Sequence, residues 1–188
     1  MSRILEFPSG IAMGHSRASL QPRRPRVLVA YYSRTGLTKR VAEQLAHDLE
    51  ADLEVIVDHT PRIGVLGYLR SNFDGMLHHS ADIAASTHDP SDYDLVLVGS
   101  PVWNRSICSP TRAYLQRHVR DLPSVGFFCT HAGSGVHQAM QHMAELCGKH
   151  PVWTLAVGQS ELKQGSEHDT ITAATRRLGT HAPASTVA

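Results

Sequence analysis

Residues 27–41 read VLVAYYSRTGLTKRV, and this stretch decides how the chain folds. It opens with an apolar run, 27–32, rich in β-branched and aromatic residues. A run of that kind, with no polar alternation, marks a strand covered on both faces. Ser33-Arg34-Thr35-Gly36-Leu37-Thr38 follows, three hydroxyl residues around one glycine. Val41, Leu45 and Leu49 then recur every four residues, the spacing of one helix face. The order is therefore strand, hydroxyl-rich turn, helix. A helix start leaves backbone N–H groups unpaired and partially positive. Such a turn suits a phosphate, with Ser and Thr hydroxyls as further donors. A P-loop would need Lys directly after its second Gly, but Leu37 follows Gly36. A Rossmann turn would need G-x-G-x-x-G, and this turn holds one Gly.

Upstream, residues 1–25 show little periodicity and several Pro and Gly, and read as a loose N-terminal extension. They lack the continuous apolar region of a secretory signal; an organellar transit peptide is the lesser alternative. Downstream, 53–57 is a short second strand that Pro61 stops. In 62–86, Leu66, Leu69, Phe73 and Met76 have helical spacing, interrupted by Gly64, Gly67 and Gly75. An irregular helix is predicted there, as cover for the core, as a wall of a ligand site or as a subunit contact. A third strand covers 94–99 and a loop 100–109, where Ser109-Pro110 suits the cap and first turn of a helix ending near Val119. The fourth strand is 125–129. After the loop 130–135 comes a helix with Val136, Met140, Met143 and Cys147 on one face. Residues 152–157 form the fifth strand. Ser166 caps a last helix whose inner face is Ile171, Ala174 and Leu178 and which Gly179 stops. Residues 180–188 read as a tail, so the domain is 26–179.

Doubly apolar strands alternating with helices give an α/β fold, a doubly wound parallel sheet covered on both faces. Ligands of such sheets sit beyond the carboxyl ends of the strands, where the winding reverses. The loops after the first, third and fourth strands meet there. The third-strand loop reads Gly99-Ser100-Pro101-Val102-Trp103-Asn104-Arg105, and the fourth Thr130-His131-Ala132-Gly133-Ser134-Gly135.

Together with the S-x-T-G-x-T turn, these loops resemble those of flavodoxin-like FMN proteins along nearly all of 27–178. The resemblance implies a five-stranded sheet in the order 2-1-3-4-5, with FMN as cofactor. Ser33, Arg34, Thr35, Gly36, Leu37 and Thr38 would hold the phosphate. Pro101, Val102, Trp103 and Asn104 would run beside the flavin ring. Thr130, His131, Ala132, Gly133, Ser134 and Gly135 would close over its other edge. The chemistry suits a flat ring that is apolar in the middle and hydrogen-bonding at its rim. Trp103 offers a stacking face, or alternatively a core side chain; Pro101 stiffens the approach. Gly133 and Gly135 let the backbone come close, or simply form a turn before a helix. No catalytic side chain is assigned, and His131 and Cys108 qualify only by the place of their loops.

The totals narrow the partners. At 188 residues with 41% hydrophobic and 19% charged residues, the chain reads as one globular domain. A net charge of +1 gives no drive toward nucleic acid, and no apolar run is long enough for a membrane. Three cysteines with no C-x-x-C fit a reduced cytoplasmic setting. Thirteen histidines are scattered without H-E-x-x-H, and no metal is expected. Electron-carrying flavodoxins are strongly acidic; here 18 Lys and Arg stand against 17 Asp and Glu. Arg34 and Arg105 lie in the ligand loops, and Lys39 and Arg40 at the helix start, facing either a bound anion or water. The resemblance leaves three functions open. One is an oxidoreductase passing electrons from a nicotinamide nucleotide or reductase to a quinone or other acceptor. The second is a non-enzymatic electron carrier serving a redox partner protein. The third is an interaction module without flavin. The apolar stretch 62–80 would serve as a homodimer face or be buried in its own chain.

Overall fold

Strand β1 (Val27–Tyr31) is buried at every residue, as its unbroken apolar run requires. The computed structural model describes residues 23–59 and 81–181. After β1 come α1 (Leu37–Leu49), β2 (Asp52–Val55), β3 (Leu95–Trp103), β4 (Ser106–Ile107) and α2 (Ser109–His118). Then follow β5 (Ser124–His131), α3 (Val136–Cys147), β6 (Trp153–Gly158), α4 (Gln159–Gln164) and α5 (Glu167–His181). The sheet order is β2-β1-β3-β5-β6, every neighbour parallel, and β4 folds back antiparallel on β3. With the two-residue β4 set aside, this is the expected α/β, doubly wound, five-stranded sheet.

Successive side chains point to opposite faces, so each strand feeds two cores. Leu28, Ala30, Val96, Val98 and Phe127 pack with Tyr114 and Leu115 of α2 and Met143 of α3. Val29, Tyr31, Leu97, Phe128 and Val157 pack with Val41 and Leu45 of α1 and Ile171 and Leu178 of α5. The inner strands β1, β3 and β5 are therefore buried along most of their length, while the edge strands β2 and β6 each expose residues.

Several boundaries differ from expectation. Strand β2 ends at Val55, and Val57 is exposed. Residues 81–86, expected as the end of an irregular helix, are not helical: Asp58 and Ile83 form an antiparallel bridge, and Ala84 donates its N–H to the Val57 carbonyl. The rest of that expected helix and dimer face lies outside the described residues, as do 1–22 and 182–188. Helix α2 takes Cys108 as its N-cap, and Ser109 is already helical with a buried hydroxyl lacking a partner. Helix α5 runs through Gly179 to His181; one helical glycine costs only about 1 kcal/mol and does not by itself end a helix. Helix α4 was not expected, being too short to show a period. Glu161 Oε1 accepts from the Gly158 N–H (3.4 Å) at its start, and Gly165, at φ +73°, ends it.

Candidate functional site

The carboxyl ends of β1, β3 and β5 open into one cleft of about 370 Å³, within the ~300–1,000 Å³ of small-molecule sites. Arg34, Thr35, Leu37 and Thr38 line it from the first loop, Pro101, Val102, Trp103 and Asn104 from the second, and Thr130, His131 and Ala132 from the third. Ser33, Gly36, Gly133, Ser134 and Gly135 are not among the lining residues. Gln159, just after β6, lines the cleft and was not expected. The signal for it was available, since β6 ends at the same sheet edge.

The first loop folds on itself. Gly36 donates its N–H to Ser33 Oγ (3.1 Å) and adopts φ +86° as the N-cap of α1. No side chain caps this helix start, and its first turn holds no acidic residue. A Cβ built on Gly36 would meet nothing within 4 Å. The uncapped N–H groups that a helix start leaves unpaired suit an anion here. Thr38, in contrast, is buried and bonded to Thr130 Oγ1 (2.8 Å).

The second loop is a hairpin. Strand β3 continues to Trp103, and Val102 pairs with Ile107 and Trp103 with Ser106. Asn104 (φ 46°) and Arg105 (φ 61°) make the two-residue turn. Both lie in the left-handed region that twisted hairpins demand; Asn tolerates it, Arg does so at a cost. The Trp103 ring meets Tyr32 edge-on at 5.8 Å, and the Arg34 guanidinium stands 4.9 Å over it. Trp103 is half-buried, packing against the core and lining the cleft as well. Both readings of Trp103 therefore describe part of the same side chain.

In the third segment, Thr130 and His131 still belong to β5. His131 Nδ1 accepts from the Gly133 N–H (3.1 Å). Gly133 has φ +146° and open space at its Cβ position. Gly135 has φ +86°, and a Cβ there would lie 2.5 Å from Arg105 Cα. Gly135 is thus more than an ordinary turn residue: it seats the tip of the Trp103 hairpin.

Among the described residues the cleft lining holds no carboxylate; its ionisable groups are Arg34 and His131. Two cations at the helix start are engaged elsewhere: Lys39 faces Glu43 at 3.6 Å, and Arg40 pairs with Glu167 and donates to the Leu162 carbonyl (2.8 Å). Cys108 is buried outside the cleft, beside the Ser100 and Thr111 hydroxyls. Among the described residues there is no cluster of metal-ligating side chains, and no helix long and apolar enough to cross a membrane.

A family model described as Flavodoxin matches residues 26–159. No curated protein matches the chain. Among solved structures, a flavoprotein from Lactobacillus acidophilus NCFM in complex with FMN is 26% identical with a TM-score of 0.63, over 74% of this chain and 97% of that one. A flavodoxin, WrbA-like protein from Agrobacterium tumefaciens is 17% identical with a TM-score of 0.51, over 84% and 99%. An NADH:FMN oxidoreductase in its apo form is 17% identical with a TM-score of 0.52, over 86% and 92%. The last two share the fold.

Proposed function

This chain belongs to the flavodoxin family, and on that premise we propose that it binds FMN in the cleft and acts as an oxidoreductase. Electrons would pass from a nicotinamide nucleotide or a reductase to a quinone or another acceptor. The observation that carries this reading is that three separate loops of the expected chemistry share one cleft. The residues fit the cofactor: the space before Gly36 and Gly133 is open, no carboxylate among the described residues lines the wall, and Trp103 offers an aromatic face. The 26%-identical relative crystallised with FMN supports the same choice.

The backbone N–H groups at the start of α1, with the Ser33 and Thr35 hydroxyls, would hold the phosphate through neutral donors. The segment Pro101–Asn104 would cover one side of the ring, and the segment Thr130–Gly135 the other. Arg34, over Trp103, supplies the positive charge of the cleft and favours a negatively charged ligand. His131 keeps Nδ1 on the Gly133 N–H, so its Nε2 is the nitrogen left to meet a ligand rim. FMN, when bound, supplies the redox chemistry; the chain places it and shields it from water. No side chain is needed as a proton donor, and none is assigned.

The test is anaerobic mixing of the purified, FMN-loaded protein with NADH or NADPH, then with a quinone. Bleaching of the flavin absorbance followed by its return on adding quinone is the expected result. A colourless protein that takes up no added FMN overturns the cofactor assignment. FMN that binds but is reduced only by a separate reductase makes the protein a carrier instead.

A further inference from the structure

Arg112 lies in the middle of α2 and is 1% exposed. Among the described residues no carboxylate pairs with it, and its Nε has no partner. Burial pushes its ionisation downward. An unpaired buried guanidinium is costly to fold around, so its contacts invite a reason. Arg112 donates from one terminal nitrogen to His142 Nε2 on α3 (2.8 Å) and approaches Ser106 Oγ from the other (3.5 Å). His142 Nδ1 lies 2.9 Å from the same Ser106 Oγ. A guanidinium can only donate, so His142 Nε2 accepts and the ring proton sits on Nδ1, directed at Ser106. Ser106 is the cross-strand partner of Trp103. Directly opposite residues in such a ladder lie about 4.5–5.5 Å apart, so what holds Ser106 also holds Trp103.

We propose that Arg112, acting through His142 and Ser106, is a positioning residue that fixes the Trp103 side of the cleft. The hairpin has two anchors. Arg105 of its turn rests on Gly135, and Ser106, the next residue, is tied to α2 and α3 by this relay. A two-residue β4 has too few ladder bonds to stand rigidly alone. The buried charge holds one tautomer of His142 and so one orientation of Ser106 opposite Trp103. The role toward FMN rests on the function proposed above; the role toward Trp103 does not.

The experiment uses the full chain with either Trp153→Phe, which leaves Trp103 as the one tryptophan of two, or Trp103→Phe, which leaves Trp153. Acrylamide quenching is read with and without Arg112→Met, Ser106→Ala and His142→Gln. Arg112→Met and Ser106→Ala are expected to raise quenching of Trp103 about twofold, as a locally opened hairpin would, and to leave Trp153 unchanged. His142→Gln keeps an acceptor for the guanidinium and is expected to stay near the parent. In the FMN-loaded protein, Arg112→Met is expected to weaken FMN retention about tenfold, the scale of a lost charge-assisted hydrogen bond. Unchanged Trp103 quenching in Arg112→Met and Ser106→Ala, or an equal rise at Trp153, overturns the proposal. If Arg112→Met does not fold, Ser106→Ala against His142→Gln decides it by the same criterion. A protein that takes up no FMN but shows the Trp103-specific change keeps the positioning role and loses only the cofactor.

Discussion

Thr38 Oγ1 and Thr130 Oγ1 lie 2.8 Å apart, buried where the start of α1 meets the end of β5. The bond joins the loop proposed to hold a phosphate to the segment proposed to cover a ring. Neither hydroxyl is thereby wholly spent, since each has further hydrogen-bonding capacity. Replacing Thr38 by Val keeps the shape and leaves Thr130 without its partner. Thr38→Val is expected to weaken FMN binding by about five- to tenfold, for a loss of ~1–1.4 kcal/mol. Thr38→Ser is expected to bind nearly as the parent does. Quenching of FMN fluorescence on titration with apoprotein measures both.

Gly36 carries φ +86° and faces open space, so a side chain there meets strain without a clash. Gly36→Ala is expected to lower stability by about 1 kcal/mol. Gly36→Asn, which tolerates the left-handed region, is expected to recover much of that loss in thermal melts. Gly36→Val adds strain and fills the cradle, and its FMN retention is expected to fall furthest. If Gly36→Val and Thr35→Ala both retain FMN as the parent does, the phosphate does not sit in this turn.

Gly133 and Gly135 separate two effects that sequence cannot. Both have positive φ, but only Gly135 has a neighbour in the way, Arg105 Cα at 2.5 Å. Gly135→Ala must push the hairpin tip aside, whereas Gly133→Ala has room. The expected order of FMN affinity is parent, then Gly133→Ala, then Gly135→Ala, with the last about tenfold or more below the first. A reversed order on titration would show that the hairpin tip is not seated on Gly135.

Much of this arrangement is legible in the chain because the strands are doubly apolar. Runs such as those at β1 and β3 stand out without any knowledge of partners, and they bring their following loops to one edge. The hairpin is not legible. Its turn is Asn104-Arg105, which lacks the Asn-Gly or Asp-Gly that announces such turns. The pairing of Arg40 with Glu167 joins residues far apart in sequence, so cations that look free at the helix start prove engaged. Arg112 is the plainest case. Its neighbours on α2 show no pattern that tells a buried arginine from a solvated one, and only the placement of His142 and Ser106 explains it.

Arg34 over Trp103 gives an electrostatic prediction. Arg34 is exposed, so its charge is screened by water and salt. Removing it in Arg34→Gln should make reduction of bound FMN harder. An interaction of ~1 kcal/mol corresponds to about 20 mV in a two-electron couple. The midpoint potential is expected to fall by roughly that amount at low salt, and the difference to shrink as salt is raised. Equal potentials at low salt would place the guanidinium too far from the ring to act on it.

Glu54 predicts the acid limit of the fold. It is buried on edge strand β2, and it accepts from the Thr87 N–H (3.1 Å), the Thr87 hydroxyl, the His88 N–H (3.2 Å) and His88 Nδ1 (2.8 Å). Burial alone would push its carboxyl up; the donors of Thr87 and His88 outweigh that and hold it below its ordinary 4.5. A carboxylate depressed in the folded state stabilises above the unfolded value and loses that stability as pH falls through the folded one. The parent protein is therefore expected to lose this contribution progressively below about pH 4.5. Glu54→Gln leaves an amide N–H₂ among donors and is expected to be less stable at pH 7 by ~1–3 kcal/mol. Its stability should also depend less steeply on acid, so the two urea-unfolding curves converge as pH falls through the lowered folded value of the Glu54 carboxyl. Parallel curves at every pH would show that the carboxyl titrates alike in both states and that the Thr87–His88 turn draws no strength from its charge.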